Sequence, residues 1–365
     1  MSEAPPRRSP LLSWTVVAPA VALVVLALTF GRDIGTPVAV LVAVVLIGAV
    51  LAAVHHAEVV AHRVGEPFGS LVLAVAVTVI EVALIVTLMV SGGPGTDSLA
   101  RDTVFAAVMI TTNGIVGISL LLGSIRHGVA LFNPEGSGAA LATVATLSAL
   151  ALVLPTFTTS AKGPRFSGSQ LTFAALASLA LYAMFVLMQT GRHRDFFLPV
   201  ERGPAAGEHA PPASRTAALV SLGLLLVALV DVVGLAKVES HTIEDVVHSI
   251  GAPPSFVGVV IALLVLAPET LAAARTARRQ QMQISLNLAY GSAMASIGLT
   301  IPAMAVASIW LSGPLLLGLG ATQLVLLALT VMVSILTVVP GRATRLQGGV
   351  HLVLLAAFVF LAINP

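Results

Sequence analysis

The feature that most constrains this chain is a succession of long apolar runs. Windows at about 11–30, 36–54, 68–91, 103–123, 138–158, 171–190, 215–236, 255–273, 284–311, 313–338 and 347–363 carry almost no charge. Each comes close to the roughly 20 residues that a helix needs to cross the hydrocarbon core of a bilayer. The runs are too long and too evenly apolar for barrel strands, which alternate lipid-facing and lumen-facing residues. Only 9% of the 365 residues are charged, against about 25% in a soluble domain, so the chain cannot coat a globule with polar groups. The expected fold is an all-α polytopic membrane protein of about 11 transmembrane helices. The window at 284–311 contains Asn287, Gly291, Ser292, Ser296, Gly298 and Pro302, and is expected to be broken or tilted.

The segments between the runs give an orientation. With the N-terminus placed in the cytoplasm, thirteen of the eighteen Lys and Arg residues fall inside and five outside. Excess Lys and Arg mark cytoplasmic loops, so a multi-pass protein of the inner (cytoplasmic) membrane, N-terminus in and C-terminus out, is expected. The first run follows Arg7 and Arg8 with no clear small-residue cleavage site, which reads as a first transmembrane helix rather than a removed signal peptide. The Pro-, Gly- and charge-rich stretch 191–214 reads as a cytoplasmic linker. These boundaries divide the chain into an N-terminal segment with the first helix (1–35), a five-helix half (36–190), the linker (191–214) and a second five-helix half (215–365).

The stretch "TVIEVALIV" raises the functional question. Between Gly69 and Val90, Glu81 is the one charged residue. A charged side chain at the centre of a membrane helix costs about 2.5–3.5 kcal/mol on insertion scales, which makes it a functional candidate by default. The second half repeats the pattern. "FGSLVLAVAVTVIEVAL" (68–84) and "VGVVIALLVLAPETLAA" (257–273) each place a Glu 11 or 12 residues after a Gly, giving Glu81 and Glu269. Five helices per half turn the second half over relative to the first, the 5+5 inverted repeat of secondary transporters, whose ion site lies where the repeats meet. Two carboxylates at such a site can be neutralised by protons or by a metal cation, and competition between the two is what cation/proton antiport requires. A hard cation takes oxygen ligands.

Other residues could support that pair. Pro268 removes a backbone donor immediately before Glu269 and would free carbonyls near Val265 and Leu266. The helices after the glutamates carry Asn113 in "MITTNGIVGISLLLG" and Ser292 and Ser296, one turn apart, in "SLNLAYGSAMASIGLTIP". Small polar residues of this kind let helices approach closely and can ligate a cation or bridge a water. In "VHHAEVVAHRVGEPFG", His55, Glu58, His62 and Glu66 could attract cations or sense pH on the cytoplasmic side, although a solvated interfacial turn reads the same way. Asp231 lies near the outer end of the seventh run, as an exit-path acid or an interfacial residue. The chain has no cysteine and no HExxH, GxSxG or Walker A motif. No enzyme, cofactor, ATP coupling or nucleic-acid partner is expected, and the oligomeric state is open.

The two repeats, "HRVGEPFGSLVLAVAVTVIEVALI" and "FVGVVIALLVLAPETLAAARTARRQQMQISLNLAYGSAMASIGLTIPAMA", resemble those of the bacterial ChaA-type calcium/sodium/potassium:proton antiporters, in the cation/proton exchanger branch of the Ca²⁺:cation antiporter superfamily. The resemblance spans nearly the whole chain. It implies that each repeat contributes one glutamate, Glu81 or Glu269, to a midplane cation site, with "GSAMASIG" in the helix that follows. The chain departs from the wider family in reading "AVTVIE" and "LVLAPE" where a Gly-Asn-x-x-Glu pattern is common. One side-chain ligand is thus missing from each half, and Na⁺ or K⁺ stays open beside Ca²⁺. A membrane scaffold or sensor with structural glutamates is the reading of a different class.

Overall fold

A computed structural model describes residues 13–32, 34–65, 68–92, 95–125, 128–200, 214–249, 251–311 and 313–365. Glu66 and most of the linker lie outside the described residues. The chain is a polytopic all-helical protein. Among the described residues, ten helices are long and apolar enough to cross a membrane, and a shorter apolar helix, Trp14–Thr29, precedes them. Helices dominate because a backbone in hydrocarbon must satisfy its hydrogen bonds within its own segment.

In chain order these are α1 (Trp14–Thr29), α2 (Thr36–Val64), α3 (Phe68–Ser91), α4 (Leu99–Met109) continued by α5 (Val116–Gly123), α6 (Pro134–Ser148) continued by α7 (Leu154–Phe157), and α8 (Gly168–Thr190). After the linker come α9 (Arg215–Ser249), α10 (Phe256–Arg278), α11 (Met282–Ala307), α12 (Ala321–Val338) and α13 (Arg345–Ile363). Caps set several starts. The Asn133 side chain accepts from the Glu135 amide at 2.9 Å, with Pro134 in the first turn of α6. Gln170 reaches back to the Ser167 amide at 2.9 Å to open α8. A short antiparallel pair, β1 (Val129–Leu131) with β2 (Arg342–Thr344), ties the loop after α5 to the turn before α13, in register Val129↔Thr344 and Leu131↔Arg342.

The irregularities do not fall where the prolines suggested. The window expected to be broken or tilted forms one unbroken helix, α11, with Pro302 inside it. α10 likewise runs through Pro268. Each proline supplies a helical φ and removes one donor, and without competing water the remaining backbone bonds carry the helix across the gap. The interruptions are π turns at Ile110–Ile115, between α4 and α5, and at Ala149–Val153, between α6 and α7. In the first, the Thr111 hydroxyl lies 2.7 Å from the Ala107 carbonyl and the Thr112 hydroxyl turns to the Val108 carbonyl. Side chains thereby occupy carbonyls that the wider turn loosens.

Two compact units emerge, residues 1–80 with 211–243 and residues 81–210 with 244–365, so each draws on both sides of the linker. In the first, α1 lies along α2. Gly234 of α9 admits Leu26 of α1 so closely that a Cβ there would stand 2.6 Å from the leucine methyls. His56, buried, has Nε2 2.9 Å from the Thr15 carbonyl and Nδ1 3.3 Å from the Ser221 hydroxyl. In the second unit, close crossings again fall on glycines. Gly258 seats α10 on α4, where a Cβ would be 2.7 Å from the Thr103 amide nitrogen, and Gly298 seats α11 on Tyr182 of α8. α5 and α13 cross at Gly117 and Gly348, each within 3.0 Å of the other's carbonyl oxygen if given a Cβ. Phe105, Met109, Leu120, Tyr290 and Met294 fill the core between these helices.

Candidate functional site

Glu81 lies midway along α3 and is 4% exposed. The Ser296 hydroxyl of α11 donates to its Oε1 at 2.8 Å. The two residues are 215 positions apart in sequence, and Ser296 is itself buried. A charge-assisted bond of this kind holds a carboxylate in one orientation. Ser292, one turn earlier on α11, is half-buried, and a Cβ on the adjacent Gly291 would meet no neighbouring atom within 4 Å. α11 also packs against α10, the helix of Glu269, which is half-buried. The serine helix is thus the element that touches Glu81 and borders the second glutamate's helix.

Pro268 leaves α10 continuous, and the neighbouring Leu266 carbonyl is taken by the Thr270 hydroxyl at 2.8 Å. Below Glu269 the polar lane continues. The Ser285 hydroxyl lies 2.8 Å from the Ala273 carbonyl of α10 and 2.6 Å from Ser119 Oγ of α5. At the start of α11, Gln283 reaches Asn287 at 2.9 Å and the backbone amide of Asn133 at 2.7 Å.

Asn113 stands in the π turn with both ends of its amide engaged. Its Nδ2 donates to the Thr330 hydroxyl at 2.9 Å, and its Oδ1 lies 3.1 Å from His351 Nδ1. Its polar atoms therefore face α12 and α13. Thr330 and His351 went unremarked in the sequence, although a histidine in the apolar window 347–363 is a signal of the same kind as Glu81.

His55, Glu58 and His62 share α2. His55 is half-buried with its ring 6.3 Å from that of Trp14, whereas Glu58 and His62 are exposed. Among the described residues no three His, Asp or Glu side chains gather as a metal-holding group, and Glu66 lies outside them. Asp231 is fully buried in the first unit, and Glu239, two turns further along α9, is 1% exposed. Glu239 was not singled out in the sequence because it sits at the edge of its apolar window.

Comparison with known proteins gives this geometry its setting. The family model described as sodium/calcium exchanger protein matches residues 34–191 and 220–364. The "Putative ionic transporter y4hA" of Sinorhizobium fredii is 44% identical over 359 residues, covering 98% of this chain and 97% of that protein. The sodium-potassium/proton antiporter ChaA of Escherichia coli is 33% identical over 352 residues, with 94% of each chain covered. The crystal structure of the H⁺/Ca²⁺ exchanger CAX shares the fold, with a TM-score of 0.69 over 96% of this chain and 92% of that one, at 15% identity. The chain belongs to the sodium/calcium exchanger protein family, whose members are secondary ion transporters and not enzymes.

Proposed function

We propose that this protein is a cation/proton antiporter of the inner membrane, exchanging Ca²⁺, or Na⁺ or K⁺, for H⁺ at Glu81 and Glu269. The observation that carries the reading is the buried Glu81 carboxylate held by Ser296 of α11. A membrane helix keeps such a group where it binds or relays an ion. Protons and the cation take turns on the two carboxylates, and, with the first helix set aside, the five helices on either side of the linker act as inverted repeats that expose the site to each face in turn. The N-terminus then lies in the cytoplasm and the C-terminus outside, with His55, Glu58, His62 and Glu66 near the cytoplasmic approach.

A specific observation favours the monovalent reading as the second. Neither glutamate has an Asn in the four residues before it, so each half lacks one side-chain oxygen toward the six to eight ligands that Ca²⁺ takes. The Escherichia coli relative is named for Na⁺, K⁺ and H⁺.

Everted vesicles carrying a preset pH gradient test the proposal. Addition of Ca²⁺, Na⁺ or K⁺ collapses the gradient in the wild type, and neither Glu81→Gln nor Glu269→Gln responds. Full activity in either variant sinks the two-carboxylate mechanism, and silence of the wild type toward all three cations favours a scaffold or sensor.

A further inference from the structure

We propose that His351 is a positioning residue of the exchange site, holding the π turn at Ile110–Ile115 in register through Asn113. This rests on the antiport reading above. His351 is fully buried in α13, and both ring nitrogens have partners: Nδ1 is 3.1 Å from Asn113 Oδ1, and Nε2 is 3.1 Å from the Thr337 hydroxyl.

Proton accounting gives the bond between His351 and Asn113 its direction. Asn113 Nδ2 donates to Thr330, so Oδ1 is free to accept and the ring must present Nδ1–H to it. At the other nitrogen the Thr337 hydroxyl has two candidate acceptors, Nε2 at 3.1 Å and the Val333 carbonyl at 2.9 Å. Thr330 passes its own proton toward Met109 Sδ, 3.5 Å away. From the ring the chain runs His351 → Asn113 → Thr330 → Met109. Thr330 and Thr337 lie seven residues apart on α12, so that helix brackets the His351–Asn113 pair, one threonine on each member.

The π turn packs against α10, α11, α12 and α13. It carries one residue more than an α-helical turn, and its collapse to α geometry would rotate α5 by about 100° and shift it by about 1.5 Å. α5 bears Ser119, which meets Ser285 of α11, and Ser285 meets the Ala273 carbonyl one turn after Glu269. A residue that keeps the turn in register therefore keeps the glutamate and serine helices spaced, without touching the ion.

Purified protein in proteoliposomes tests this with His351→Ala, His351→Gln and His351→Asn. The Asn amide nitrogen falls where ring Nδ1 lies, whereas the Gln nitrogen falls near Nε2. The Ala and Gln variants are expected to raise the half-saturating cation concentration about tenfold, the loss of one to two hydrogen bonds, with maximal rate within about twofold of wild type. His351→Asn restores the wild-type value within about twofold. Wild-type half-saturation in His351→Ala, or failure of His351→Asn to rescue, overturns the proposal. A second arm reads structure alone. The ¹⁵N spectrum of histidine-labelled protein, after subtraction of the His351→Asn spectrum, should show a ring protonated at Nδ1, and an unprotonated Nδ1 overturns the proposal even if the Ala variant fails to fold. Wild-type protein that exchanges no cation overturns the antiport reading instead and leaves the ¹⁵N result standing.

Discussion

At the scale of the residue, the candidate site reduces to a carboxylate and the hydroxyl that orients it. Glu81 was legible in the sequence because one charge in an apolar run has few explanations, and its burial agrees. Ser296 was legible as a small polar residue on a helix face, but its partner was not, since the contact spans 215 positions. Asn113 shows the limit of that reasoning. Residue type made it a candidate ligand, whereas the direction of its amide depends on Thr330 and His351, two helices contributed by the far end of the chain. A hydrogen bond to a charged group contributes about 1.5–3 kcal/mol, and 1.4 kcal/mol is a factor of ten in affinity. Ser296→Ala is therefore expected to raise the half-saturating cation concentration about tenfold or more in the vesicle assay, while Ser296→Thr, which keeps the hydroxyl, stays within about threefold. Equal half-saturation in the Ala variant and the wild type would mean that the hydroxyl does not serve the ion.

At the scale of the element, the helices could be read from run length alone, but their irregularities could not. Proline marked α10 and α11 as breakable, and both are continuous. Of the turns that do widen, Ile110–Ile115 contains no proline, and Ala149–Val153 runs directly into Pro155. A π turn is stabilised by what packs around it and by side chains that take up loosened carbonyls, and neither is visible in a window of apolar residues. Glycines tell the same story, because which of them face a partner is decided by packing. A Cβ at Gly258 would lie 2.7 Å from the Thr103 nitrogen and 2.8 Å from the Asp102 carbonyl carbon, both backbone atoms that cannot swing aside. Gly258→Ala is expected to push α10 off α4 and destabilise the protein by about 1–3 kcal/mol, read as a lower thermal midpoint of the detergent-solubilised protein by size-exclusion. Gly291→Ala, on α11 with no atom within 4 Å of the added carbon, is expected to leave the midpoint unchanged or raise it, since Ala stabilises a helix interior by about 0.5–1 kcal/mol over Gly. A Gly258→Ala midpoint equal to wild type would show that the crossing is looser than its geometry.

At the scale of the whole molecule, the order of the chain and its compactness follow different divisions. The sequence puts six apolar runs before the linker and five after it, and pairing Glu81 with Glu269 sets the first run aside to leave five against five as an expectation. The compact units instead each take residues from both sides of the linker, because which helices pack together is set by tertiary contacts that no local pattern encodes. One consequence holds for the molecule as a unit, whichever cation it carries. If protons and the cation occupy the same two carboxylates, each excludes the other, and transport must report that competition. Lowering pH fills the carboxylates with protons, so more cation is needed to displace them. Raising pH empties them, and less is needed. The logarithm of the half-saturating cation concentration should therefore fall with rising pH, by about one to two decades per pH unit while one to two protons are displaced for each cation bound, and level off once the carboxylates are empty. Proteoliposomes with purified protein, assayed at a series of equal internal and external pH values by isotope exchange, measure this without an imposed gradient. A half-saturation that stays flat across the range, with Glu81 and Glu269 intact, would place the proton on a route separate from the cation's and remove shared occupancy as the basis of exchange.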